Sequence, residues 1–526
     1  MTRMYEDRRT ISPAQYLSPR LADVVFVALF ATVIALGPRL LNVDGDLGRH
    51  ITIGGYILDS RSIPTRDVFS HTMTGEPLTP HEWLSQVIFA LAYRFMGLDG
   101  VVLLCAMLIA STFTLLYGNG ARRSGTRLVS LGLILLAAAA SSLHWLARPH
   151  LFTMLLVVVW TDGLERLRTG ESTRWQHLPV LMLLWVNLHG AFIAGFVIWG
   201  AYLAGHVWQR WMGARDAAGS SRYGRHLVLI GAASLGVSLL NPSGLDLWTT
   251  SVGYVSNRYL VGHTAEYLPP NFHQVSTWPF LAMIVTSLML LGAATAPVTA
   301  TSLLLLGGWT ALGLYSVRNV PLYAVIAAPI LAEVAGGGVR AAVRLARWQG
   351  METRLAAVEK SLRGHVWPVA ATVIVGLALA RGGATLDASS SPSLRSGSGS
   401  EQAVTRRGNR FDPNVFPVQA VDWLKSNPLP GRMFNYFTWG GYLLHRMWPD
   451  QTVFIDGQTD FYGEALTREY EKVITLADGW QEVLRDYQVD WVLMPSDSRL
   501  ARALAADAGW RVAYEDRTAT VLAREP

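Results

Sequence analysis

Residues 21–41 read LADVVFVALFATVIALGPRLL, and after Asn42 the chain continues VDGDLGRHITIGGYILDSRSIPTRDVFSHTMTGEPLTPHEWLSQVIFALAYRF (43–95). The first piece is about as long as a bilayer-spanning helix requires and longer than a signal-peptide core. No small-residue cleavage site follows it, so it reads as an anchor that stays. The second piece is a long polar loop holding Asp44, Asp46, Asp59, Asp67 and Glu76, with Glu82 at its end. An apolar span running into an acid-rich loop sets the pattern for the rest of the chain.

Composition extends that pattern. Of 526 residues 51% are hydrophobic and 16% charged, with a mean hydropathy of +0.27. Soluble domains carry about 25% charged residues, which disfavours an ordinary soluble enzyme. The 19 Trp, 18 Tyr and 17 Phe exclude a disordered chain. The lone Cys105 lies in an apolar run, which excludes a disulfide framework. The net charge of +6 does not point to nucleic acid, because the basic residues sit in short loops between apolar runs.

Apolar runs occur near 22–41, 98–117, 127–146, 150–165, 177–188, 191–210, 227–240, 277–293, 299–316, 320–335 and 366–380. The expected architecture is therefore mainly α: a polytopic membrane helix bundle of about eleven spans over residues 1–380. Arg8, Arg9 and Arg20 place the N-terminus inside. The even-numbered crossings then bring nearly every other basic cluster to the same side. These are Arg122, Arg123 and Arg127; Arg166, Arg168 and Arg174; Arg210, Arg215, Arg222 and Arg225; and Arg340, Arg344, Arg347, Arg354, Lys360 and Arg363. That one-sidedness satisfies the positive-inside rule. The N-terminus is thus expected in the cytoplasm, with the first outer loop at 42–97. A Ser/Gly-rich stretch makes 381–410 a flexible linker. Residues 411–526 then alternate strand-like runs (452–455, 491–494) with helical ones (417–425, 464–474, 500–506), predicting a small extracytoplasmic α/β domain.

The same topology collects acids, imidazoles and arginines on the outer side: Asp44, Asp46, His50, His81, Glu82, Arg148, His150, His189, Glu266 and Arg318. Polar groups at helix ends can snorkel to water, so their cost alone does not mark a site, but their one-sidedness does. Asp44 and Asp46, two apart, point the same way in an extended segment and can share a divalent cation or one base role. A solvated helix exit is the plainer reading of Asp-x-Asp. His81-Glu82-Trp83 opens an amphipathic stretch to Phe95, read as an interfacial helix capped by its two polar residues. His50, His71 and His81 match no compact zinc spacing. Arg148 beside Pro149 suits either a phosphate fork or a tight turn, and Arg318 shares that ambiguity. His189 before Gly190 suits a proton carrier or a partner for a carbonyl. Glu266 reads as solvated unless the fold brings it to the pocket. In the last domain Asp456, Asp460 and Tyr462 follow a strand-like run, as a binding site or a loop cap.

These features together resemble the integral-membrane glycosyltransferases of the type C fold. That superfamily includes oligosaccharyltransferase catalytic subunits, protein O-mannosyltransferases and lipid A aminoarabinose transferases. The resemblance rests on the many spans, the acids just after the first helix (Asp44, Asp46), a second interfacial helix at 82–96, and an outer C-terminal domain. The first loop, RPHLFT (148–153), NLHG (187–190), WGGYLL (439–444) and VFIDGQTDFYG (453–463) also look like uncharacterised bacterial membrane proteins grouped with that superfamily. No Trp-Trp-Asp-Tyr-Gly acceptor motif is present, and the Asp-Glu pair of the mannosyltransferases is Asp-Gly-Asp here.

The resemblance implies transfer of a sugar from a polyprenyl-phosphate donor to a glycan, protein or lipid acceptor outside the bacterial cytoplasmic membrane, with inversion. It implies Asp44 as base, and Asp46 assisting or holding Mg or Mn. His50, His81, Glu82, Arg148, His150, His189, Glu266 and Arg318 would bind substrate. Two other classes compete. A non-catalytic scaffold subunit with membrane protein partners predicts that Asp44, Asp46, His81 and Arg148 do not converge. A lipid-sugar transporter predicts mid-membrane charges and repeated halves, and the spans offer neither.

Overall fold

A computed structural model describes residues 13–213, 218–341, 346–362, 364–387 and 408–525. Arg8, Arg9, Arg215, Arg344, Arg363 and most of the expected linker, 388–407, lie outside the described residues. Among the described residues five helices are long and apolar enough to cross a membrane: Trp83–Ser124, Arg127–His144, Gly190–Trp211, Val275–Gly292 and Val317–Gly338. A sixth span exists if Trp348–Ser361 and Val366–Arg381, bent by 70°, form one. Leu21–Ala35, His177–Leu188 and Ala300–Tyr315 are apolar but shorter. The expected count of eleven is thus not reached by helix length. The first run explains part of the shortfall: it breaks at Leu36, and a second short helix, Gly37–Asn42, starts with Pro38 in its first turn.

The run at 98–117 is the second half of Trp83–Ser124, which is broken at Met96 and at Gly97 (φ 58°). The half before the break packs against the amphipathic helix Asp46–Ser60. Residues 42–97 therefore supply two helices separated by a turn-rich segment. The core of the bundle is dense, with Trp160, Trp185, Tyr202, Phe89 and Phe113 among its fully buried side chains. Each such aromatic takes about 150–250 Å² out of solvent.

The C-terminal unit contains one four-stranded sheet in the order β1-β2-β4-β3, where β1 is Arg432–Asn435, β2 Val489–Pro495, β3 Trp510–Glu515 and β4 Ala519–Arg524. β1 and β2 are parallel, and the β2–β4 and β4–β3 pairs are antiparallel. Helices Val418–Ser426, Thr459–Thr475 and Arg499–Ala505 correspond to the three expected ones, and β2 contains the expected strand at 491–494.

The expected strand at 452–455 does not join the sheet. Val453 instead bridges to Ser70 in the first loop, with Val453 N donating to Phe69 O and His71 N donating to Val453 O. Asn435 then satisfies the next residues: Phe454 N donates to its Oδ1 and its Nδ2 donates to Ile455 O. The strand-like pattern is real, but its partners are the loop and one amide side chain. The short helix Gly440–Met447 lies directly on Asp46–Ser60, so closely that a Cβ on Gly48 would sit 2.2 Å from the Gly441 carbonyl oxygen. The WGGYLL segment is therefore the seam between the first loop and the C-terminal unit.

The bundle has two polar ends. At the end carrying the basic loops, Arg123 binds Glu333 at 2.6 Å and Arg168 binds Glu165 at 2.6 Å, while Tyr202 donates to Glu165 at 3.0 Å. The C-terminal unit covers the opposite end, where most of the acids and imidazoles gather.

Candidate functional site

Arg148 stands at a break between the turn Ser142–His144 and the helix His150–Arg168. Pro149, which has no N–H to leave unpaired, starts that helix, and Ala147 N donates to Leu40 O, fixing the approach. The guanidinium faces three carboxylates. Arg148 binds Asp46 at 2.5 Å, contacts Glu266 Oε1, and lies 3.5 Å from Asp44. Arg318 stands 3.9 Å from Glu266 on the other side, donating to Tyr267 O–H at 2.8 Å. Ser316 Oγ donates to Glu266 O, and Val317 N donates to Leu268 O, so the turn carrying Glu266 is tied to the segment carrying Arg318.

Asp44 and Asp46 do not lie on an extended segment, as their spacing suggested. Asp46 starts the helix, and Asp44 Oδ1 accepts from Asp46 N at 2.9 Å. Local hydrogen bonding of Asp to the backbone two residues on wins over extension. Asp44 Oδ2 is buried and has no hydrogen-bond partner. Burial raises the Asp44 carboxyl to about 6, with Arg148 opposing and Asp46 adding to the rise. Burial would raise Glu266 too, but Arg148 and Arg318 outweigh it and hold it well below the usual carboxylate range. A Cβ on Gly457 would lie 1.7 Å from Asp46 Oδ1, so the DGQTD segment presses its backbone against this acid.

A second cluster lies one turn along the same helix. Glu82 faces Arg49 at 3.8 Å, His50 at 3.7 Å, His81 at 3.9 Å and His189 at 3.5 Å. Arg49 also reaches Asp456 at 3.9 Å and donates to Gln458 at 3.0 Å, while His81 lies 3.6 Å from Asp460. Burial keeps His50 and His189 neutral well below the usual imidazole range, with Arg49 and Arg318 adding to the effect respectively. Burial likewise lifts Asp456 to about 6 against the pull of Arg49. Thr153 Oγ1 accepts from Trp185 Nε1 at 2.8 Å and meets His189 Nδ1 at 2.9 Å. That contact fixes the ring so that its other nitrogen points at Glu82.

Most residues singled out from the sequence converge, but not all in the expected way. Glu82 makes no side-chain cap for the helix it precedes, because its carboxylate is turned to Arg49 and the imidazoles. Glu266 is not solvated, since the fold carries it to Arg148. His150 bonds His144 O at 2.8 Å and packs against the His144 ring at a tilt of 45°. His71 meets Met433 O at 2.9 Å, away from both clusters. Asp456 and Asp460 join the second cluster, whereas Tyr462 packs into the apolar core. Arg49, His144 and Gln458 escaped the sequence reading. Arg49 carried a usable signal: a cation three residues after Asp46 shares its helix face.

The described residues contain no group of three or more His, Cys, Asp or Glu side chains arranged to hold a metal ion. The expected ligands Asp44 and Asp46 both turn to Arg148 instead. This donor set does not fit a resident divalent cation.

No family model matches the chain, and no curated protein sequence matches it. Solved structures do match by fold. The archaeal oligosaccharyltransferase AglB from Archaeoglobus fulgidus, in complex with an inhibitory peptide and a dolichol-phosphate, is 13% identical, with a TM-score of 0.57 covering 90% of this chain and 69% of that chain. ArnT from Cupriavidus metallidurans in the apo state is 15% identical, with a TM-score of 0.46 over 95% of this chain and 97% of that chain. The fold is thus like that of the oligosaccharyltransferase AglB, a type C-like fold. With its apolar helices, the chain is an integral membrane protein.

Proposed function

We propose that the protein is a membrane glycosyltransferase that moves a sugar from a polyprenyl-phosphate-linked donor to a glycan, protein or lipid acceptor. The reaction takes place on the extracytoplasmic face of a bacterial cytoplasmic membrane, with the N-terminus in the cytoplasm. The observation that carries this reading is the Arg148 cluster: a half-buried guanidinium among Asp44, Asp46 and Glu266, with an oxygen on Asp44 that accepts no hydrogen bond.

The chemistry follows from those groups. Asp44 takes the proton of the acceptor hydroxyl or amide as the acceptor attacks the anomeric carbon. The bond from that carbon to the phosphate oxygen breaks on the opposite face, inverting the centre. The departing lipid phosphate gains negative charge, which Arg148 and Arg318 stabilise. A carboxyl near 6 is ionised at neutral pH yet basic enough to accept a proton. Asp46 and Glu266 hold the Arg148 fork in place. Mg or Mn stays in this proposal only as a rival to Arg148 for the Asp44–Asp46 pair.

Asp44, Asp46 and Arg148 converge while His81 lies in the neighbouring Glu82 cluster, and the meeting of the first three supports an enzyme over a non-catalytic scaffold with membrane protein partners. The test is release of lipid phosphate by protein in nanodiscs across a panel of polyprenyl-phosphate sugars and acceptors. The double variant Asp44→Asn, Asp46→Asn should lose turnover, and full turnover by it would overturn the reading.

A further inference from the structure

Arg148 and Arg318, the two cations that the proposed function gives to the donor's phosphate, are already joined by a carboxylate. Glu266 contacts Arg148 and lies 3.9 Å from Arg318, so its side chain stands where a phosphate would bridge them. The two guanidinia face three carboxylates in all, Asp44, Asp46 and Glu266. A phosphate arriving with all three in place would bring a fourth anion to two cations, and like charges about 4 Å apart repel. One carboxylate has to yield.

Their surroundings decide which. Asp44 Oδ1 is held by Asp46 N at 2.9 Å. Asp46 is pressed by the Gly457 backbone, where a Cβ would fall 1.7 Å from its Oδ1, and its side chain is 11% exposed. Among the described residues, the Glu266 carboxylate pairs with the two arginines and accepts no other hydrogen bond. Its side chain is 22% exposed and that of Arg318 31%, so water reaches this edge of the cluster. Rotation about the Glu266 side-chain bonds carries its charge to that water. The backbone can stay where it is, because Ser316 Oγ donates to Glu266 O at 2.9 Å and Val317 N to Leu268 O at 3.0 Å. A carboxylate tethered in this way remains beside the arginines at a high effective concentration and competes with a phosphate for them.

Resting on the donor reading above, we infer that Glu266 is a gate for the donor's phosphate: it yields the two arginines as the lipid phosphate binds and returns to them as the phosphate leaves. Asp44 and Asp46 stay in place through the exchange, and the cluster keeps two cations against three anions before and after it.

The test is equilibrium binding of short-chain polyprenyl phosphate, and separately of inorganic phosphate, to the full chain in nanodiscs, as wild type and as Glu266→Gln. The variant should bind the lipid phosphate about tenfold or more tighter, since one negative charge about 4 Å away is gone. In turnover, added lipid phosphate should inhibit the variant at a correspondingly lower concentration. A residue that only props up the Arg148 fork weakens binding when it is removed. Equal or weaker binding by folded Glu266→Gln would therefore overturn the gate while leaving the phosphate site standing. If Glu266→Gln does not fold, Glu266→Asp, whose shorter side chain draws the charge back from Arg148, should tighten binding by a smaller factor. Unchanged or weaker binding by that variant would overturn the gate. Tightening for inorganic phosphate without tightening for lipid phosphate would keep the gate and overturn the lipid donor. Binding of neither phosphate by wild type or variant would overturn the donor reading, and the gate with it.

Discussion

The two polar ends of the bundle are built from similar residues and differ in how completely they are paired. At the basic-loop end, Glu165 alone receives Arg168 at 2.6 Å and Tyr202 at 3.0 Å, with Arg123 at 3.7 Å. Arg123 in turn holds Glu333 at 2.6 Å. The charged groups there have found one another, and the buried hydroxyls left without hydrogen bonds, those of Tyr117, Thr126, Thr161 and Tyr223, are neutral. At the other end, Asp44 Oδ2, Arg49 Nε and both nitrogens of His50 are buried without hydrogen bonds. A satisfied network stabilises one arrangement and offers a ligand nothing. An unsatisfied one costs stability that a bound ligand can return, which is how functional sites differ from structural ones.

That contrast can be broken most decisively at Asp44. Asp44→Asn should lower lipid-phosphate release by about 10²–10⁴-fold, the usual contribution of a positioned base, with thermal stability at neutral pH unchanged or improved. The mirror experiment is Arg123→Met. Removing one partner of a buried pair costs about 3–5 kcal/mol, so the unfolding temperature should fall sharply while turnover per folded molecule stays within about twofold. An Arg123 variant that folds normally but is inactive would erase the distinction between the ends.

The pH dependence sharpens it. With Asp44 raised to about 6, turnover should climb as pH rises through 6. Stability runs the other way. A carboxyl whose folded value lies above its unfolded value stabilises the fold below about pH 4, and that contribution is lost as pH rises through 6. The stability gap between wild type and Asp44→Asn should therefore be smallest near pH 4, favouring the variant above pH 6. A gap that does not change with pH would remove the perturbed carboxyl from the account. The smallest effect expected is that of a chelator, because Arg148 already supplies positive charge to Asp44 and Asp46. Turnover should change by less than about twofold, and a large loss restored by Mg or Mn would show that a cation displaces the guanidinium.

Much of the site was legible in the chain because charge is costly in a bilayer and concentrates at helix ends. Asp44, Asp46, Arg148 and Arg318 stand out for that reason. Glu266 was harder, since a loop acid is solvated by default, and its tie to the segment carrying Arg318 and its contact with Arg148 are tertiary. Arg49 was missed because no helix was read over 46–60, and without one nothing in the chain showed which residues would share its face with Asp46. The run at 452–455 was misplaced because alternation reports a half-buried extended segment without saying which segment completes its hydrogen bonds.

The sequence by itself determined that this is a helical membrane protein whose basic loops lie on one side and whose candidate site acids and imidazoles gather on the other. Hydropathy and charge placement act locally along the chain and can be read there. Only the tertiary structure decided that Arg148 meets three carboxylates from two distant loops. It also decided that Glu82 faces four basic groups, and that Asp456 and Gln458 close the pocket from the far end of the chain. Those contacts join residues that the chain keeps well apart, and the close approach of Gly48 to Gly441 brings the C-terminal unit to the first loop.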